Sequence, residues 1–150
     1  MSELNFKYFK DTKIKFIDGD RGANYPSKSD FYKDGHCIFL DTKNVTEVGF
    51  NLDEVLFISK EKDKLLRNGK LQRGDVVITS RGTLGNVAFY GDDIIYEDIR
   101  INSGMLIVRS DGEEYLPYYL YIFLRSNIFK WQCDRISSGS AQPQLPVHAL

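Results

Sequence analysis

Residues 71–90, LQRGDVVITSRGTLGNVAFY, decide how this chain is read. Arg73-Gly74-Asp75 signals a turn, because glycine accepts the positive φ of a tight reversal. Val76, Val77, Ile78 and Thr79 form a β-branched run with the composition of a buried or half-buried strand. Residues 80–86, SRGTLGN, are a polar loop with two glycines and one arginine, and Val87-Ala88-Phe89-Tyr90 returns as a second strand. The stretch is therefore a β-hairpin whose tip presents Arg81, Thr83 and Asn86. A rigid strand pair holding out a polar tip suits contact with another molecule. The plainer reading, a hairpin turn with a solvated arginine, is equally open at this point.

The flanking segments continue the β pattern. Residues 6–17 read as a strand with alternating lysines around Ile14 and Phe16. Residues 18–26, DGDRGANYP, form a loop dense in turn formers, in which Arg21 is followed by Gly22 and lies two residues after Gly19, an arrangement much like that around Arg81 with its Gly82. Residues 36–40 are an apolar run of strand length. Residues 60–67 read as a charged, solvated helix with Ser59 as N-cap, Leu65 and Leu66 inward, and Gly69 past its end. Residues 94–96, 99–102 and 105–109 are further strand candidates. From residue 113 the character changes: Pro117 suits a first helical turn, and Leu116, Leu120, Phe123, Leu124 and Ile128 recur at helical spacing. That predicts a buried helix on the sheet, followed by a second short helix containing Trp131. The fold class is α+β: a β-rich globular domain, with a twisted, mostly antiparallel sheet and hairpins, flanked by C-terminal helices.

With 150 residues the chain suits a single domain, residues 1–150. Twenty Lys and Arg against 21 Asp and Glu leave a net charge of −1, so no global positive field advertises a polyanion, although a local basic face is not excluded. Cys37 and Cys133 lie far apart, and with His36 and His148 they complete no zinc pattern; they read as reduced, buried thiols in a cytoplasmic protein. No window approaches a membrane span. There is no P-loop, dinucleotide fingerprint, nucleophile elbow or deaminase signature. Asp11-Thr12-Lys13 and Asp41-Thr42-Lys43 each carry the Asp-x-Lys of metal-dependent nucleases, a weak signal in a chain this charged. No Asn-Pro-Pro-Tyr-like run is present to hold a flipped adenine, so the chain is no amino-methyltransferase alone. The expectation is no enzyme, no resident cofactor and no metal.

What remains are side chains that pair with bases and phosphates. Arginine pairs with guanine, and Gln or Asn with adenine; serine and threonine suit phosphates, which position without specifying. Arg21, Arg81, Asn86, Gln142 and Gln144 are of the first kind, with Asn24 on the Arg21 loop; Ser80, Thr83, Ser138 and Ser140 are of the second.

Together, LQRGDVVITSRGTLGNVAFY, the helix after it, the terminal SSGSAQPQLPVHAL (residues 137–150) and FIDGDRGANYP (residues 16–26) resemble a target recognition domain of type I restriction–modification specificity (S) subunits. The resemblance runs over nearly the whole chain, and the pairing of the hairpin with the terminal stretch is its most specific part. It implies recognition of one half of a bipartite double-stranded DNA target, with no chemistry in this chain. A partner methyltransferase (M) subunit, using S-adenosylmethionine, would flip and methylate adenine, and a restriction (R) subunit would cut. A full S subunit has two such domains joined by long coiled-coil helices. This chain departs from that pattern, ending where the first such helix would begin, which leaves a second recognition domain or a homodimer to complete the target. Recognition domains of type IIG enzymes are similar. A degenerate protein-interaction fragment and a small metal-dependent nuclease are the other readings.

Overall fold

A computed structural model describes residues 7–137. The strands are β1 (Lys15–Asp18), β2 (Cys37–Phe39), β3 (Val45–Thr46), β4 (Gly49–Phe50), β5 (Leu56–Ile58), β6 (Val76–Thr79), β7 (Val87–Phe89), β8 (Ile99–Arg100) and β9 (Met105–Arg109). Helix α1 (Lys60–Leu65) lies between β5 and β6, and α2 (Pro117–Leu124) and α3 (Asn127–Ser137) follow β9. The main sheet has the order β1-β9-β6-β7 and is antiparallel throughout. A smaller sheet, β5-β2-β8, contains one parallel pair, β2 with β8, and β3 and β4 form a short ribbon. The α+β expectation holds.

The hairpin forms as read, with Val76 opposite Phe89 and Ile78 opposite Val87. The apolar run in β6 is unbroken because the main sheet is covered on both faces. Val77, Ala88, Met105 and Ile107 face the smaller sheet, meeting Ile38, Leu40 and Ile99. Val76, Ile78, Val87, Leu106 and Val108 face the helices, meeting Leu120, Leu124, Phe129 and Cys133. Burying an apolar face on each side of one sheet is the main driving force for this three-layer arrangement.

The Arg73-Gly74-Asp75 turn closes the other end of the hairpin, with Gly74 at φ +91°. Asp75 is buried, its carboxylate accepting the Gln72 amide (2.7 Å) and both Nε and Nη2 of Arg109 (2.8 Å each). Arg73 lies over the Tyr90 ring and donates to the carbonyls of Gly91, Ile94 and Tyr96.

Several expectations are corrected. Residues 94–96 form no strand: the Ile94 and Tyr96 carbonyls are taken by Arg73, the Tyr90 hydroxyl also donates to Tyr96, and Ile95 is exposed. The first strand begins only at Lys15, after a 3-10 turn at Phe9–Asp11. Helix α1 has the expected cap, Ser59 Oγ accepting the Lys62 amide at 3.1 Å, but Leu65 points to solvent. Its Asp63, read as part of a solvated face, is buried and paired with Lys70 and Arg100. Helix α2 starts at Pro117 and buries Leu120 and Leu124, whereas Leu116, Tyr118, Tyr119, Ile122 and Ile128 remain exposed. Both cysteines are free and buried.

Candidate nucleic-acid interface

Antiparallel pairing places Asp18 opposite Leu106 and Thr79 opposite Met105. The C-terminal ends of β1 and β6 and the N-terminal ends of β7 and β9 therefore share one edge of the main sheet. Three loops leave from that edge: residues 19–26, 80–86 and 101–104. The Arg21 and Arg81 loops, 60 residues apart in sequence, are neighbours because β9 lies between their strands.

The residue 101–104 turn is the joint. A Cβ on Gly19 would lie 2.2 Å from the Asn102 carbonyl oxygen, so the two backbones touch where only glycine fits. Arg21 Nη2 donates to the Ser103 carbonyl and to Asp18 Oδ1, each at 3.2 Å. The Ser80 amide donates to the Gly104 carbonyl at 2.9 Å. A Cβ on Gly104 would lie 2.8 Å from Thr42 Cγ2 and 3.8 Å from the Arg81 Cβ.

Each loop is fixed at its base. Asp20 is buried and accepts the amides of Gly22 and Arg67, both at 2.7 Å. Those backbone bonds, that from Arg67 foremost, hold its carboxyl below the usual aspartate range against the opposing effect of burial. Thr79 closes the hairpin tip: its hydroxyl donates to the Thr83 carbonyl (2.6 Å) and accepts the Asn86 amide (3.0 Å). Gly82 and Gly85, at φ +73° and +77°, supply the left-handed turns that this closure requires.

The sequence predicts that the tip presents Arg81, Thr83 and Asn86. Thr83 is exposed and Arg81 half-buried, but Asn86 turns inward, its Nδ2 donating to the Val45 carbonyl at 3.1 Å. Ser80 is also withdrawn, only 4% exposed beneath the 101–104 turn. Both hold the tip in place instead of standing out from it. Arg21 and Asn24 are exposed on the neighbouring loop. Ser138, Ser140, Gln142 and Gln144 lie outside the described residues. Sequence reasoning missed Thr79, whose place at the end of a β-branched run looked like strand composition alone.

A second charged cluster lies elsewhere. Ligand-type atoms of His36, Asp63 and Asp98 fall within 4.8 Å of one another, the one such group among the described residues. The Lys70 ammonium sits between the carboxylates, 2.6 Å from Asp63 and 2.8 Å from Asp98, where a cation would have to go. The donor set is thus already neutralised by a side chain and does not fit a metal ion. Asp11 and Asp41, of the two Asp-x-Lys tripeptides, are not part of it. No helix among the described residues is long and apolar enough to cross a membrane.

No protein-family model and no curated protein sequence matches the chain. Solved structures match its fold. A chain of a type I R-M system, solved to describe complex assembly and conformational transition, superposes with a TM-score of 0.62 at 14% identity, over 91% of this chain and 30% of its own. The HsdS subunit from Thermoanaerobacter tengcongensis gives 0.57 at 14% identity, over 89% of this chain and 30% of its own. The type I restriction–modification S subunit from M. genitalium gives 0.54 at 15% identity, over 91% and 32%. The α+β fold of this chain is the one found in type I specificity subunits, as the sequence resemblance implied. The chain spans 30% to 32% of the length of these proteins.

Proposed function

We propose that the chain is a DNA target recognition domain that reads one half of a bipartite sequence as all or part of a type I specificity subunit. The observation that carries this reading is the meeting of the Arg21 and Arg81 loops on the 101–104 turn, in a fold shared with such subunits. Arg21, Asn24, Arg81 and Thr83 are the contacting residues, joined by Ser138, Ser140, Gln142 and Gln144 of the terminal stretch. Ser80 and Asn86 act as supports. Arginines on a fixed backbone suit bidentate pairing with guanine, and a wrong base pair costs about 1–3 kcal/mol.

The chain itself does no chemistry on this reading. It directs a methyltransferase subunit, to which S-adenosylmethionine belongs, and a restriction subunit. The exposed apolar stripe of Tyr118, Tyr119 and Ile122 on α2 is a surface of the kind that protein partners cover. A net charge of −1 fits weak binding by the domain alone, with partner subunits contributing phosphate contacts.

Selection of randomised duplexes by the purified chain, with and without its methyltransferase partner, tests the reading. Recovery of a short shared sequence is expected. An unenriched pool in both arms would remove DNA recognition, and divalent-metal-dependent cutting would favour a nuclease.

A further inference from the structure

A groove of about 210 Å³ runs between the hairpin tip and helices α2 and α3. Thr83 and Asn86 line one side, and Arg125 and Lys130 the other. It begins where the proposed base-reading tip ends, yet its basic residues come from the C-terminal cap of α2 and from α3, which the sequence marked only as packing elements.

Arg125 differs from the other well-anchored arginines of this protein. Arg73, Arg100 and Arg109 are each locked against a carboxylate. The Arg125 guanidinium is oriented by neutral groups alone: Nη1 is 2.7 Å from the Tyr121 hydroxyl, Nη2 is 3.4 Å from the Glu47 carbonyl, and the group lies 5.2 Å from the Tyr121 ring centroid. It makes no salt bridge among the described residues, and it is exposed. A guanidinium held this way is pre-organised, keeps its full charge and has donors to spare.

The groove is not a general sink for anions. Glu47 and Asp134 line it together with Arg125 and Lys130, so its four formal charges cancel. Attraction there is short-ranged and directional, suited to one anionic oxygen placed at Arg125.

We propose that Arg125 binds a single backbone phosphate of the duplex whose bases the Arg81 loop reads, fixing the register of the domain on DNA. This rests on the DNA-recognition reading above. A phosphate contact positions without specifying, so Arg125 and Arg81 must fail in different ways when removed.

The test uses the full chain, the duplex pool recovered by selection, and the salt dependence of binding measured by fluorescence anisotropy. Arg125→Gln can retain the neutral hydrogen bonds while removing the charge, and Arg125→Lys keeps the charge without the fork; melting curves confirm that both fold. From about 50 to about 200 mM salt, Arg125→Gln should flatten the slope of log affinity against log salt by about 0.9, losing about 3.5-fold less affinity than the parent over that range. The bases it selects should be unchanged. Arg125→Lys should keep the parental slope with weaker binding. An unchanged slope in folded Arg125→Gln overturns the proposal and leaves DNA recognition standing. A changed base preference at parental slope overturns it too, making Arg125 a base reader. If the parent binds no duplex, both readings fall together.

Discussion

The Arg100 guanidinium lies against the Asp63 carboxylate, with Nε 2.5 Å from Oδ1, inside the junction of α1 with β8. Arg100 also donates to the carbonyls of Asp63, Leu66 and Asn68, which closes the C-terminal end of α1. Lys70 holds the other carboxylate oxygen. Removing Asp63 would strand the buried Arg100 without a carboxylate, whereas Lys70 would keep Asp98. Asp63→Ala should cost about 3–5 kcal/mol, read as a lower urea midpoint at unchanged m-value.

The same contacts set an acid limit. Burial alone would raise the Asp63 carboxyl, but the hydrogen bonds from Lys70 and Arg100 outweigh it and hold the group below its usual range. Asp20 is shifted the same way by the Arg67 and Gly22 amides. A lowered carboxyl stabilises the fold fully above its unfolded value of about 3.9, and that contribution is lost as pH falls through the lower folded value. Melting temperature should therefore hold from neutral pH down to about 4 and drop below it. A flat profile through that acidic window would contradict the buried pairing.

Arg21→Ala and Arg81→Ala should each weaken binding to the selected half-site by about 1–3 kcal/mol and relax preference at one base position. Both variants should melt close to the parent, since Arg81 makes no salt bridge among the described residues and the Arg21 bonds to Asp18 and Ser103 are both exposed. Asn86→Ala should behave differently, lowering stability by about 1 kcal/mol through loss of the Val45 contact. Competition binding alongside thermal melts separates the two outcomes.

Gly19→Ala should be severe, because its Cβ would sit 2.2 Å from the Asn102 carbonyl oxygen and backbone would have to move. A cost of about 1–3 kcal/mol, with loss of DNA selectivity, is expected. At Gly82 a Cβ meets open space, so Gly82→Ala costs only the left-handed conformation, about 1 kcal/mol.

The thiols offer a check on the core. Burial pushes Cys37 up to about 12 and Cys133 up to about 11. Neither should react with a thiol reagent in the native state at mildly alkaline pH, and both should label at the rate of unfolding. Rapid native labelling of Cys37 would argue against the packing of β2.

The hairpin was legible because β-branched residues, a glycine turn and a second apolar run all favour the same local structure. The α1 start was legible for a similar reason, since Ser59 caps it by local chemistry, but the helix ends at Leu65, short of the expected residue 67 and not beside Gly69. Asp63 was not: nothing within α1 distinguishes it from the exposed Glu61, and its partners Lys70 and Arg100 arrive from later in the chain. Residues 94–96 have strand composition, but the Arg73 side chain, 21 and 23 residues earlier, claims the Ile94 and Tyr96 carbonyls. The similarity of the Arg21 and Arg81 loops hinted at a shared site. Their actual meeting depends on β9 inserting between β1 and β6, a non-local pairing that local pattern does not encode. Withdrawal of Ser80 and Asn86 has the same origin, since the groups they support or contact come from residues 104 and 45.

The backbone contact between Gly19 and Asn102 has a mechanical consequence. With no slack in that seam, the bases of the Arg21 and Arg81 loops keep a nearly fixed spacing, and a double helix read by both, as proposed, would have to supply the bending. Pyrimidine–purine steps yield most easily, so sequences carrying one beside the contacted bases should be favoured even where no side chain touches them.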